Sequence, residues 1–386
     1  MQGNSGLNAS DQRQNNRMTI VKELQQHPRS RAELARRTGL SRAAISNLVD
    51  QLAEERIILE GRYRAGFNGR PAVDLELNAD AFYAVGLCIK RNAVHLGIVD
   101  LGGHCLTRTR EDIRTYPMDS QEALNRIIRQ IRDMIDACPS GGKMLGIGIS
   151  SPGPLDEEAG VILNPPNFSR ISDLDIGPQL SRAFGCPALL KNDIKALALA
   201  ESVYGVKDQY GDFLELVADA GIGSGLVQNG KLFDGVRGLG HISLDIHGPA
   251  CPCGNFGCVE LFATVERIVE QAYLRDKRMT DWATVVDFAH EGDALAREIV
   301  TQEAEYLAAA IVATANIVDF DAVILSDSLV YRAELLGGIL EKVINQRTFN
   351  SRERTIVVRP SKLPDYPYVL SGAEIVFSQW INGGCI

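Results

Sequence analysis

Residues 241–258 place three thiols, Cys251, Cys253 and Cys258, within eight residues, with His241 ten positions ahead of the first. Thiolate sulfur and imidazole nitrogen are the donors zinc prefers, and a Cys3His set is a tetrahedral zinc site. Gly254 and Gly257 allow the tight backbone turns that three converging sulfurs require. The competing readings are a redox pair or unrelated cysteines, and His247 is the rival histidine. Four protein ligands leave no open coordination position, so Zn2+ here is expected to be structural rather than hydrolytic. Cys88, Cys105, Cys138, Cys186 and Cys385 stand singly and read as small buried hydrophobes.

What must position such a site is a large soluble body. A chain of 386 residues predicts two or three domains, and 45% hydrophobic with 23% charged residues is an ordinary globular balance. No run approaches the roughly 18 uninterrupted apolar residues of a membrane span. The first 17 residues lack the apolar core of a signal peptide. A cytoplasmic protein with no membrane partner is expected. The net charge of −9 hides an asymmetry, because residues 1–72 carry +5 and the remainder −14. A basic head on an acidic body predicts a small nucleic-acid-binding module attached to a domain with another task.

The head supports that division. Residues 1–16 are polar, lack periodicity and read as a disordered tail. A winged helix-turn-helix is expected over 17–78. Met18, Val21 and Leu24 share one helix face that ends before Pro28. Ser30 caps a second helix closed by Gly39, and Ser41 caps a third in which Ile45, Leu48, Val49 and Leu52 follow helical spacing. The alternating segment 58–78 around a Gly-rich centre reads as the wing hairpin. The third helix then offers Ser41, Arg42, Ala43, Ser46 and Asn47 to the major groove of a double-stranded DNA operator. Arginine pairs bidentately with guanine and asparagine with adenine. Arg62, Arg64 and Arg70 on the wing are expected at phosphates or in the minor groove. A small helical interaction module with merely solvated arginines is the competing reading.

Beyond the head, short apolar runs at 83–89, 95–101, 143–150, 187–191, 212–218, 223–230 and 321–326 alternate with amphipathic helical stretches. That is α/β architecture, and about 300 residues of it predict two lobes with a cleft between them. Boundaries are expected at 79–190 for the first lobe, completed by 370–386, and at 191–369 for a second lobe carrying the zinc site.

The segments SSPGPLDEEAGVILNPPNF (150–168), KNDIKALALAE (191–201) and GLGH…CPCGNFGCVE (238–260), with the N-terminal winged helix, resemble the ROK family of repressors, reading frames and sugar kinases, in its DNA-binding regulator branch. The resemblance runs from Met18 to near the C-terminus. It implies an actin-like (ribonuclease-H-like) fold closing on a sugar, assembled as a homodimer or homotetramer. The family's sugar-binding residues match Asn167, Asn192, Asp193, His241 and Glu260. The aspartate matching Asp193 is the kinases' general base, and the zinc-bound histidine meets the sugar through its second ring nitrogen.

The same resemblance implies three nucleotide loops, and this chain departs from each. Cys88-Ile89-Lys90-Arg91-Asn92 stands where kinases have Asp-x-Gly-Gly-Thr, Asp219-Ala220-Gly221 where they have Gly-Thr-Gly, and Ser326-Asp327-Ser328 where they have three glycines. Loops without the amide cradle, two of them with added carboxylates, are not expected to bind ATP. Gly238, Lys191 and Lys195 also replace common family residues at the sugar motifs, which widens the choice of ligand. The expectation is a sugar-responsive transcription regulator, a repressor rather than an enzyme, whose cleft closes on an effector and alters operator affinity. A working sugar kinase with an appended head is the alternative.

Overall fold

The computed structural model describes residues 9–64, 72–138, 141–165, 171–206, 208–235, 238–349 and 353–383. The chain opens with α1 (Ala9–Gln26), which stops just before Pro28. The expected disordered tail over 1–16 is therefore corrected from Ala9 onward. Its Asp, Gln and Asn residues propagate a helix nucleated where Met18, Ile20, Val21 and Leu24 are buried. After β1 (Arg29–Ser30), α2 (Arg31–Thr38) starts with a capping box, the Ser30 amide donating to Glu33 Oε2 at 2.8 Å and the Glu33 amide to Ser30 Oγ at 3.3 Å. It ends at Gly39, φ +72°, whose amide donates to the Ala35 carbonyl. In α3 (Arg42–Glu54), capped by Ser41, Ile45, Leu48, Val49 and Leu52 are buried. The hairpin β2 (Ile58–Arg64) and β3 (Ala72–Leu77) pairs Ile58 with Leu77, and β1 adds to the free edge of β3. The head is a winged helix-turn-helix.

The first lobe contains β4 (Phe82–Ile89), β5 (Ala93–Asp100), β6 (Cys105–Asp112), α4 (Ser120–Ala137), β7 (Lys143–Ser151), a small hairpin of β8 (Leu155–Asp156) and β9 (Val161–Ile162), α5 (Ile176–Phe184) and β10 (Ala188–Asn192). Its sheet runs β10-β7-β4-β5-β6, antiparallel from β4 through β6 and parallel from β4 to β10. One sheet face is apolar, and Val85, Leu87, Ile147 and Ile149 pack there with the Leu124–Ile127–Ile131 stripe of α4. The chain then runs through α6 (Asp193–Ala200), β11 (Phe213–Ala218), β12 (Ile222–Gln228), β13 (Lys231–Phe233), α7 (Glu260–Ala263), α8 (Val265–Arg275), α9 (Trp282–Glu291), α10 (Ala294–Ala315), β14 (Ala322–Leu325), α11 (Ala333–Arg347), β15 (Val357–Pro360) and α12 (Pro367–Gly383).

The second sheet, β13-β12-β11-β14-β15, repeats the first sheet's order and strand directions. Both sheets thus have one antiparallel flank and one parallel flank, the repeated architecture of an actin-like body. One face of the second sheet carries the main apolar core with α7 to α11. The other packs Phe213, Val227 and Ile324 beneath Ala198 of α6.

In the first lobe the corresponding place belongs to α12, returned from the end of the chain. It lies so close that a Cβ on Gly86 would stand 1.9 Å from the Val369 carbonyl oxygen, and one on Gly148 would stand 1.8 Å from that of Gly372. Residues 1–193 with 366–386 form one compact unit and 194–365 the other. The head belongs to the first unit, where α1 packs on α12 and Gln25 Nε2 donates to the buried Glu374 Oε2 at 3.4 Å.

Candidate metal centre and effector site

The cysteine loop is folded back on His241 by its own backbone. The Leu244 amide donates to the Gly257 carbonyl at 2.7 Å and the Val259 amide to the Ile242 carbonyl at 2.9 Å, which returns Cys258 to the side of His241. A tight turn between Cys251 and Asn255 brings the exposed Cys253 to Cys258, with the Gly254 amide donating to the Cys251 carbonyl at 2.9 Å. Gly257 has φ +59°, and a Cβ there would meet the Asp245 carbonyl oxygen at 1.9 Å. His241 sits on a single helical turn, Leu239–His241, started by Gly238.

The four donor atoms of His241, Cys251, Cys253 and Cys258 lie within 4.8 Å of one another and could hold a metal ion. Cys253 Sγ is 3.7 Å from Cys258 Sγ, and Cys251 Sγ is 3.7 Å from His241 Nδ1. Bonds of about 2.3 Å in a tetrahedron space sulfurs by about 3.8 Å, so the set fits zinc–thiolate geometry. His247 is outside this group. Cys258 is buried, and burial with two neighbouring thiols pushes it up to about 12, whereas backbone donation around Asn255 lowers Cys253. A dication removes the thiol-against-thiol penalty, since its charge favours thiolates. His241 turns Nδ1 toward Cys251, and the residue is exposed.

Glu260 begins α7 directly after the loop. Its Oε2 accepts from the Ile222 amide at 2.9 Å, tying it to the first residue of β12. A Cβ on Gly240 would fall 3.1 Å from the same oxygen, so His241 and Glu260 belong to one local constellation. Asn192 and Asp193 form the junction of β10 and α6, half-buried, with Asn192 Nδ2 donating to Asp193 Oδ1 at 3.1 Å. They lie in the other compact unit. Glu157, not anticipated, organises that junction by accepting from the Asn192 amide at 3.1 Å and from Lys191 Nζ at 3.4 Å. Neighbouring Asp156 and Glu158 make the carboxylate that reaches Asn192 indistinguishable in the sequence. Asn167 lies outside the described residues.

On the head, Ser41, Arg42, Ala43 and Asn47 are exposed at the start of α3 and Ser46 is half-buried. Arg31 ties α2 to α3 through Asp50 at 2.8 Å. Arg62 and Arg64 are on β2, and Arg70 lies outside the described residues.

The sequence pattern of the ROK family matches residues 85–378, most of the chain. The chain belongs to the ROK family. It is 26% identical over 373 residues to the xylose repressor of Bacillus subtilis (strain 168), spanning 95% of this chain and 96% of that one. It is likewise 26% identical over 374 residues to the DNA-binding transcriptional repressor Mlc of Escherichia coli (strain K12), spanning 93% and 91%. Among solved structures, a ROK family transcriptional regulator described as a homologue of the E. coli Mlc protein matches with TM-score 0.81 at 25% identity, over 96% of this chain and 97% of that one. The ROK hexokinase from Thermus thermophilus matches with TM-score 0.64 at 26% identity, covering 77% of this chain and 98% of its own.

Within this ROK chain the three loop positions are occupied as follows. After β4 the Lys90 amide donates to the Ala93 carbonyl at 2.8 Å and Lys90 Nζ to Tyr368 Oη at 2.8 Å. Asp219 to Gly221 form the turn that joins β11 to β12. Asp327 has φ +60°, a left-handed conformation that favours glycine, yet it carries a carboxylate. Ser326 Oγ donates to Glu215 Oε1 within the fold. Lys191 and Lys195 are engaged by Glu157 and by Asp234, the latter at 2.9 Å.

Proposed function

We propose that this ROK protein is a sugar-responsive transcriptional repressor of genes for carbohydrate uptake or catabolism. The observation that carries the reading is that similarity to named repressors spans head and body together, over more than nine-tenths of the chain. The winged helix binds a double-stranded operator, with Arg42, Ser46 and Asn47 at base edges and Ser41 and Ala43 at the helix start. Arg62, Arg64 and Arg70 hold the wing on the backbone. The effector is a sugar or sugar derivative held by hydroxyl contacts to Asn167, Asn192, Asp193, His241 and Glu260. Zn2+ on His241, Cys251, Cys253 and Cys258 is structural. Coordination through Nδ1 would hold the His241 ring with Nε2 toward the sugar.

Two heads of a homodimer, or of paired dimers in a tetramer, reach half-sites about 34 Å apart. Effector binding changes the spacing of the heads. Passing from mostly bound to mostly released needs the ligand to favour one state by about 5 kcal/mol. Phosphoryl transfer is not part of this function, because carboxylates at Asp219 and Asp327 repel phosphate where an amide cradle is needed. Asp193 then accepts a hydroxyl hydrogen bond instead of acting as a base. Such a regulator works in the cytoplasm beside the chromosome. No helix of the described residues is long and apolar enough to cross a membrane.

The test is to sequence the genomic fragments that the protein retains in cells. A few enriched, roughly palindromic sites beside carbohydrate genes, released by one sugar of a panel, are expected. Absence of enrichment with and without sugars, together with ATP turnover on a hexose, would establish a kinase with an appended head instead.

A further inference from the structure

Among the described residues the second lobe fully buries three glutamates, Glu201, Glu215 and Glu303, none of them used by the metal centre or the effector residues, and the first two sit under one end of its sheet. Glu215 lies in β11, in the otherwise apolar run Phe213–Ala218, on the face beneath α6, and has no solvent exposure. Glu201 follows α6 at the start of a π-helical turn, Glu201–Gly205, and is equally buried. That turn is fitted to the carboxylate, since a Cβ on Gly205 would fall 2.0 Å from Glu201 Oε1.

Two serines tether the pair. Ser326 follows β14 and donates to Glu215 Oε1, while Ser361 follows β15 and donates to Glu201 Oε2 at 2.6 Å. These strands are neighbours, and the Ser361 amide donates to the Leu325 carbonyl at 2.8 Å, so both hydroxyls stand at one end of the sheet. The two carboxyls differ in their donors. Glu201 accepts from Ser361 Oγ, from the Lys362 amide at 3.1 Å and from the Leu363 amide, with the Lys362 charge nearby. Glu215 has the single Ser326 hydroxyl, and its Oε2 has no hydrogen-bond partner among the described residues.

The other charged groups on the surrounding elements are engaged elsewhere. Lys195 of α6 meets Asp234, and Arg359 of β15 meets Glu341. The residues paired with Glu215 across the sheet, Gly225 and Ile324, carry no charge.

We propose that Glu201 and Glu215 form a buried proton-binding site, in which Glu201 is the carboxylate and Glu215 holds the proton as a carboxylic acid. Two ionised carboxylates here would be an uncompensated interior charge, which proteins avoid by binding a proton or a cation. Glu201 has its lone pairs directed at hydroxyl and amide donors, which suits an anion receiving hydrogen bonds and leaves little for a metal ion. Burial and the Glu201 charge both raise Glu215, and the Ser326 hydroxyl opposes them. Ser326 fastens the end of β14 to Glu215 of β11, and Ser361 fastens the end of β15 to Glu201 at the end of α6, so the second lobe becomes proton-linked.

The test uses the full chain. The pH dependence of unfolding of wild type, Glu215→Gln and Glu201→Gln is followed by the buried Trp282, together with the infrared C=O stretch of protonated carboxyls. Glu215 is protonated in the fold and ionised in the unfolded chain above about pH 4.3, so it weakens the fold as pH rises up to its folded pKa. Across that range Glu215→Gln should lose about tenfold per pH unit from the wild-type rise in the unfolding constant, along with one carboxyl band. Glu201→Gln should destabilise at every pH, because it removes the acceptor of three donors. A Glu215→Gln variant with the wild-type pH slope and band overturns the proposal. Saturable stabilisation of wild type by potassium, sodium, magnesium or calcium that Glu215→Gln abolishes also overturns it, in favour of a cation. If Glu215→Gln does not fold, Ser326→Ala removes the donor that opposes protonation and should carry the band to higher pH. An unmoved band then refutes the assignment.

Discussion

Cys253 Sγ stands 3.7 Å from Cys258 Sγ although the first residue is exposed and the second fully buried. Two thiols of such different setting meet because the backbone between them turns at Gly254 and Gly257, both with positive φ. One zinc per chain is expected by elemental analysis. Structural zinc sites in small peptides contribute about 10–16 kcal/mol of binding free energy, and a fraction of that is expected as stability here. Cys258→Ser should lose the metal and lower the thermal midpoint, and a strong chelator should do the same to wild type. His247→Ala should retain the metal. A metal-free wild type of unchanged stability with chelator would refute the centre.

Glu157 is expected to act on the effector through Asn192, whose amide it holds at 3.1 Å. If Asp193 accepts from a sugar hydroxyl as proposed, Asp193→Asn should weaken effector binding by about 10- to 100-fold. Glu157→Gln should weaken it less and leave the operator affinity of the effector-free protein unchanged. Isothermal titration with the sugar that releases the operator separates these effects. Equal affinity for wild type and Asp193→Asn would remove Asp193 from the site.

The metal loop and the head were legible in the sequence because their determinants are local. Ser30 and Glu33 announce a capping box, and the spacing of Cys251, Cys253 and Cys258 announces the thiols that gather beside His241. The repeated sheet was partly legible. The apolar strands β4, β7, β11 and β14 stand out, whereas β6 alternates polar residues at a sheet edge and β15 is a short four-residue strand. The helical start at Ala9 was not legible, since polar residues reveal no helix face. Glu157, Glu201 and Glu215 were hidden for a different reason. A carboxylate's partner is set by tertiary contacts such as Ser361, 160 residues from Glu201.

The exposed start of α3 makes a sequence-specific prediction for the head. Arg42→Ala should cost about 1–3 kcal/mol of operator binding and relax preference at one base position. Arg64→Ala should weaken all sequences alike and shallow the salt dependence. Fluorescence anisotropy over an operator library at two salt concentrations measures both. An Arg42→Ala protein with unaltered base preference would place base reading elsewhere on the head.

Glu303 tests what an interior carboxyl costs the second lobe. It lies in α10 with no exposure, and neither oxygen has a hydrogen-bond partner among the described residues. Desolvation therefore raises it well above the ordinary carboxylate range. In the folded protein it stays protonated, while in the unfolded chain it ionises near its ordinary pKa. The fold accordingly weakens as pH climbs from the ordinary value through the raised one, by up to about tenfold per pH unit in the unfolding constant. Glu303→Leu, of comparable volume, removes both the titration and the unsatisfied oxygens. It should stabilise the second lobe by about 1–3 kcal/mol near neutral pH, with the larger gain at alkaline pH. Urea denaturation at pH 6 and pH 9 measures the difference. A Leu variant less stable than wild type at both pH values would mean that Glu303 makes a polar contact in the core, and that its burial supports the fold.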